Sequence, residues 1–245
     1  MSGKSVTLNR NLRAAWLVEA LKLRANGVDS VDATKQVEAQ IALDIQGAES
    51  RRKSLRYLRQ LWLEPHPRLE KLQEEAFELY RSDPRGETAR TLSFFMLLAV
   101  YPFAREVAEA CGQLFRLQGT IKTEQIKRKI IAKHGEREHV LRSVRNGIAI
   151  FSGLGVLHAT AEKGIYEKGN KEQCIERIAS YALETLFHSM GKTQISRSDL
   201  DTHPALFAFD SHAIVASAIS DPRYGLSRQS LNRGLVDLVP SNSGL

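Results

Sequence analysis

Five basic side chains, Arg51, Arg52, Lys53, Arg56 and Arg59, fall within nine residues that hold no Asp or Glu. A second basic stretch covers residues 116–145. There Arg116, Lys122, Lys127, Arg128, Lys129, Lys133, Arg137, Arg142 and Arg145 stand against only Glu124, Glu136 and Glu138. The chemistry open to such clusters is electrostatic: guanidinium and ammonium groups neutralise phosphates and release the counterions condensed on a nucleic acid. The 245-residue chain has 35 Lys and Arg against 28 Asp and Glu, a net charge of +7. The two stretches together carry more positive charge than that, so the rest of the chain is slightly acidic. Net charge alone does not separate nucleic acid from a membrane surface. Placement does: neither basic stretch joins its charge to exposed bulky apolar residues, as a membrane-surface helix must.

Other chemistries are poorly supported. The GxxxxGK[ST] pattern of a phosphate-binding loop is missing, and Gly153-Leu154-Gly155 follows a predicted helix, so it reads as turn punctuation. HExxH is missing too. His134 and His139 flank Gly135–Glu138 without a third ligand nearby, and are expected at the surface or facing a groove. His203, Asp210 and His212 lie close together near the end of the chain. No carboxylate spacing supports a hydrolytic site there, and turn and core packing around Leu206, Phe207 and Phe209 is the expectation. Cys111 and Cys174 lack CxxC neighbours and read as buried thiols in a reducing cytoplasm. Trp16, Trp62 and Phe94-Phe95 sit at core spacing and not among cations, unlike the stacking platforms of single-strand binders. The expectation is a non-enzymatic protein with no cofactor and no metal.

The elements that must position the cations are mainly helices. Apolar residues recur at spacings of three and four from Trp16 to Leu23, with a stop at Asn26-Gly27. Asp29 or Ser30 caps a second helix, with Val31, Val37, Ile41 and Ile45 as inner positions. A third runs from about Ser50 to Leu63 and ends at Glu64-Pro65-His66-Pro67. Residues 68–80 are amphipathic, residues 88–101 are apolar on nearly all sides, and Pro102 starts or kinks the next helix, 103–117. Two helices over 120–134 and 136–152 then lead to a small hairpin around Ala161–Gly164 and a helix over 171–190. The chain shows no repeat of fixed period.

Residues 30–63 form a helix–turn–helix candidate. Leu55, Leu58, Leu61 and Trp62 share one side of its second helix, and Arg52, Arg56 and Arg59 the other. A solvated helix pairing with the acids of residues 68–78 is the competing reading. The second basic stretch has the element order of a winged helix: helix 103–117, a short extended Thr120-Ile121-Lys122, helix 123–134, a turn at Gly135, helix 136–152, then the hairpin. Ile126, Ile130 and Ile131 face the core from its first helix, and Val140, Val144, Ile148 and Phe151 from its second. Arg142 and Arg145 point away beside His139, and Lys163 falls at the wing tip. Such a helix fits the major groove. A winged helix used for protein contacts is the alternative.

The order of segments resembles a known family. An N-terminal Leu17-x-Glu19-Ala20 helix precedes a first helix pair and the basic Ser50-Arg51-Arg52-Lys53 helix. An apolar helix and a second pair follow, closing on Gly153-Leu154-Gly155-Val156-Leu157. Over roughly residues 10–160 this is similar to the BrxA family of bacteriophage exclusion (BREX) defence systems. The resemblance implies a mostly helical protein with two helix–turn–helix motifs beside positive surfaces. It also implies double-stranded DNA binding in anti-phage defence, alongside a methyltransferase and ATPase-type partners. It says nothing about residues 171–245.

The expected organisation is therefore mainly α. It comprises an N-terminal helix–turn–helix region (1–67), apolar central helices (68–117), a winged-helix-like region (118–170) and a C-terminal helical extension (171–245). The contacts to DNA are assigned to Arg51, Arg52, Lys53, Arg56 and Arg59 in the first motif. In the second they are assigned to Lys127, Arg128, Arg137, Arg142 and Arg145, with Lys163 on the wing. The N-terminus lacks the apolar run of a signal peptide and no stretch is long enough to span a bilayer, so a soluble cytoplasmic protein is expected. A scaffold within a defence complex and a transcriptional regulator are the alternatives.

Overall fold

The computed structural model describes residues 8–169, 175–230 and 233–238. The fold is mainly α, with small antiparallel sheets. Helix α1 (Ala14–Ala25) buries Trp16, Leu17, Ala20 and Leu21, and the chain reverses at Gly27, whose φ of 82° suits a residue without a Cβ. Helix α2 (Ser30–Asp44) is capped by the Asp29 carboxylate, which accepts from the Val31 and Asp32 amides at 2.8 and 3.1 Å. Its buried stripe is Ala33, Val37 and Ile41. Val31, expected inside, is 63% exposed. At 100° per residue it lies about 200° from Ala33, on the far side of the helix.

Helix α3 (Ala48–Leu58) continues into a π-helical turn over Arg59–Leu63. Leu61, Trp62 and Leu63 are all buried there. The turn ends at Glu64, extended because Pro65 follows. Helix α4 (Glu70–Ser82) supplies Gln73, a buried amide that donates to the carbonyls of Leu61 and Glu64 at 2.9 and 3.0 Å. That amide satisfies acceptors left behind by the end of the π turn.

The centre of the molecule is α5 (Gly86–Val100), buried continuously from Thr91 to Leu98. Phe94 and Phe95 meet Phe209 at centroid distances of 5.7 and 4.9 Å, and Phe94 meets Phe151 at 5.4 Å. Helix α6 (Pro102–Phe115) departs from α5 at 113°. Pro102 occupies its first position, where no amide proton is required. Buried apolar side chains from Leu8 to Val236 form one contiguous cluster. Among the described residues no single helix is long and apolar enough to cross a membrane, although the bent α5–α6 pair passes that test jointly.

After α6 come β1 (Thr120–Lys122), α7 (Thr123–His134), α8 (Glu138–Gly153), β2 (Leu157–Ala159) and β3 (Ile165–Lys168). Strand β3 lies between β1 and β2, antiparallel to both. The β2–β3 hairpin turns around Gly164, whose φ is 82°. The chain then repeats this arrangement: α9 (Ile175–Met190), β4 (Gln194–Ser196), α10 (Arg197–Asp201), α11 (Ser211–Ala218), β5 (Tyr224–Ser230) and β6 (Arg233–Leu238). Strand β6 lies between β4 and β5, again antiparallel to both. The region expected to be a helical extension thus holds a second helix–sheet unit. The repeat has no fixed period, because α7 has 12 residues and its counterpart α10 only 5.

The two units meet where α6 touches the 3₁₀ turn Pro204–Leu206. A Cβ on Gly112 would lie 1.9 Å from the Pro204 carbonyl oxygen. Gly112→Ala is therefore expected to lower stability by about 2–3 kcal/mol through overpacking against backbone, measured by urea unfolding. Unchanged stability would contradict the close approach. The adjacent Cys111 is fully buried, which pushes its thiol pKa far up and leaves it a packing group. Cys174 lies outside the described residues.

Candidate nucleic-acid interface

Helix α8 has two contrasting sides. Val140, Ser143, Val144, Gly147, Ile148, Ile150 and Phe151 are buried, which includes all four apolar positions expected inside. His139, Arg142 and Arg145 are exposed. Arg145 has no ion-pair partner among the described residues. Arg142 pairs with Glu138, one turn earlier on the helix, and that carboxylate is itself 78% exposed. Lys163 is exposed at the tip of the β2–β3 hairpin, without a partner among the described residues.

The cations of α7 divide differently. Arg128 is exposed and unpaired among the described residues. Lys127 pairs with Glu124 at 2.6 Å and keeps only 17% of its side chain accessible, so it is a poor contact residue. Arg137 donates to the His134 carbonyl at 3.0 Å and closes the turn at Gly135, which makes it a local cap. His134 itself departs from expectation: it binds Glu106 and packs on Phe103 at 5.6 Å, partly buried. Burial of the Glu106 carboxyl, which alone would raise its pKa, is outweighed by hydrogen bonds from Lys133 and His134 that hold it below the usual value.

The first basic stretch is more engaged than its sequence implies. Arg51 donates to the carbonyls of Ile45 and Gln46 at 3.2 and 2.6 Å, tying down the loop after α2. Arg52 and Lys53 both pair with Glu49, at 2.7 and 3.1 Å, and Arg59 lies 3.5 Å from Glu64. The partners are thus Glu49 and Glu64, not the acids of residues 68–78. Arg56 lies 5.8 Å from the Tyr57 ring centroid and has no carboxylate partner among the described residues. The Glu49 and Glu64 pairs are exposed on both sides. Such pairs contribute little to stability and can be exchanged for a phosphate. Arg51 is different, since releasing it would leave two carbonyls without their donor.

Two features escape sequence inspection. The first is Asn9. Its amide donates to the Tyr57 hydroxyl of α3 at 3.1 Å, and its side-chain oxygen accepts from Ser143 of α8 at 3.1 Å. Three residues after Ser143, about one turn along α8, Asn146 donates to the Leu8 carbonyl at 2.8 Å. The segment Leu8–Asn9 therefore bridges α3, in the first basic stretch, and α8, in the second. The second is Lys122, exposed on β1 directly opposite Ile165 and so beside the hairpin tip. A three-residue strand gives too little alternation to assign such a side chain from sequence.

Among the described residues no group of three or more His, Cys, Asp or Glu is placed to hold a metal ion. No protein-family model, curated protein or solved structure matches the chain.

Proposed function

We propose that the protein is a non-enzymatic binder of double-stranded DNA. Residues 102–168 act as a winged helix–turn–helix, with α8 in the major groove and the β2–β3 hairpin on the adjacent backbone. The observation that carries this reading is the Asn9 bridge between α3 and α8, with Arg56, Arg142 and Arg145 exposed on those helices. Arg128, Lys122 and Lys163 extend the positive surface to the wing. Arg52, Lys53 and Arg59 join it by exchanging carboxylates for phosphates. Arg51, Lys127 and Arg137 serve the fold instead. Most contacts go to phosphate and supply affinity and orientation with little sequence information.

The resemblance of residues 10–160 to the BrxA family supports a place in BREX-type anti-phage defence, with methyltransferase and ATPase-type proteins as partners. A scaffold role is the second reading. It is favoured by the second unit, which repeats the element order without a basic excess: over residues 175–238, six Lys and Arg face seven Asp and Glu.

The test is fluorescence anisotropy with unrelated duplexes across a salt series. If about six phosphates are neutralised, the slope of log affinity against log salt is expected near −5. A flat salt response, or a stable protein partner with no duplex binding, would favour the scaffold.

A further inference from the structure

Between α6 and the α10–α11 segment lies a cleft of about 300 Å³, at the small end of the range for ligand pockets. It is separate from the α3–α8 surface. Its walls bring together groups with complementary chemistry. Arg116 and Lys168 are exposed cations without ion-pair partners among the described residues. Phe115 and Phe207 form an apolar wall, with ring centroids 5.5 Å apart and planes 24° from parallel. Asp201 also lines the cleft; its Oδ1 is buried and accepts no hydrogen bond among the described residues, and its Oδ2 lies 3.6 Å from Arg197. His212 comes no nearer to Oδ1 than 3.6 Å, too far for a hydrogen bond.

His203 completes the lining. It is nine-tenths buried, and its Nδ1 accepts from the Ala205 amide at 3.3 Å. Burial, followed by the nearby charges of Arg105 and Arg116, lowers its pKa to about 4. The imidazole is thus neutral at physiological pH, and the cleft's positive character comes from arginine and lysine. Asp210, grouped with the two histidines in sequence, is occupied elsewhere: its carboxylate caps α11 by accepting from the Ala213 amide at 3.0 Å.

We propose that this cleft binds a nucleoside monophosphate. Arg116 and Lys168 hold the phosphate, and the Phe115–Phe207 wall supports the planar base. A free nucleotide and the 5′-terminal nucleotide of a DNA strand share this chemistry. The inference does not require duplex binding at α8.

Isothermal titration with the four 2′-deoxynucleoside 5′-monophosphates, their nucleosides and inorganic phosphate tests it. At least one nucleotide is expected to bind one-to-one, about tenfold or more tighter than either its nucleoside or phosphate alone. Arg116→Gln with Lys168→Gln is expected to weaken that nucleotide about tenfold or more, with an unchanged melting curve as the check on folding. Arg142→Glu with Arg145→Glu is expected to leave it unchanged. Failure of all four nucleotides to bind, full binding by the Arg116/Lys168 variant, or loss in the Arg142/Arg145 variant would each overturn the proposal. Competition separates the two sources. Displacement by a short duplex with a 5′-phosphate, but not by its 5′-hydroxyl twin, assigns the cleft to a DNA end; displacement by neither assigns it to free nucleotide.

Discussion

Arg142→Glu combined with Arg145→Glu is expected to reduce duplex affinity by about a hundredfold or more at low salt, and to flatten the salt slope by about 2. Both side chains are exposed on the side of α8 opposite its core face, so the fold loses little. The main structural cost is a like-charge pair with Glu138 one turn away, worth a few tenths of a kcal/mol. Each reversal removes a cation and installs an anion where a phosphate must sit, so the effect on DNA is much larger than that on the fold. Lys127→Gln is the internal control. Its ammonium already serves Glu124 and is largely covered, so affinity is expected to stay within about threefold of the parent. Anisotropy on all three proteins reads the result. A double variant that binds as well as the parent would remove α8 from the interface.

Arg223→Met is expected to be the most damaging single substitution to stability. The guanidinium binds Glu75 through two bonds of 2.7 and 2.9 Å, Glu184 at 2.6 Å and Asp221 at 2.8 Å. It thereby joins α4, α9 and the turn before β5. Removing it leaves three carboxylates, each less than a quarter exposed, facing one another. Breaking an ion-pair network of this kind costs about 3 kcal/mol, readable by urea unfolding at pH 7.

The pH dependence follows from the same cluster. The Arg223 hydrogen bonds pull Asp221 down to about 2. In the parent its contribution is therefore present above the ordinary aspartate value and is lost as pH falls through about 2. Burial raises the Glu75 carboxyl despite Arg223, so that group favours the folded state below its unfolded pKa and loses this contribution as pH rises. Without Arg223 all three carboxyls shift upward, and the deficit of the variant is expected to shrink between pH 7 and pH 4.5. Adding Glu75→Gln to Arg223→Met is expected to recover part of the loss. Equal deficits at both pH values would show that the cluster is not electrostatically coupled.

Features that depend on one helix and its own periodicity were readable from sequence. The uncharged run before Pro102 is the buried α5, and the four apolar positions expected of α8 all face the core. Gly164 turns the expected hairpin. Features that depend on chain segments meeting from a distance were not. Asn9 reaches Ser143 across 134 positions, and nothing near either residue marks the pair. The short extended Thr120–Lys122 was readable as well and is β1, but β4 has only three residues, too few for a period of two to register, and β5 carries Gly, Ser and Gln in place of a β-branched alternation. The charge count located the basic stretches, yet gave no sign that Arg51 would be drawn to carbonyls or Lys127 covered. Both outcomes follow from the local path of the backbone.

The position of α9 limits how the second unit can be studied. That helix packs against α5 and α4, and its buried Tyr181 donates to the Leu92 carbonyl at 3.3 Å. Cutting the chain after the first hairpin would strip the cover from α5, whose residues Thr91 to Leu98 are all buried. A shortened product would aggregate for reasons unrelated to what the second unit recognises, so dissection by deletion would mislead where single side-chain changes would not.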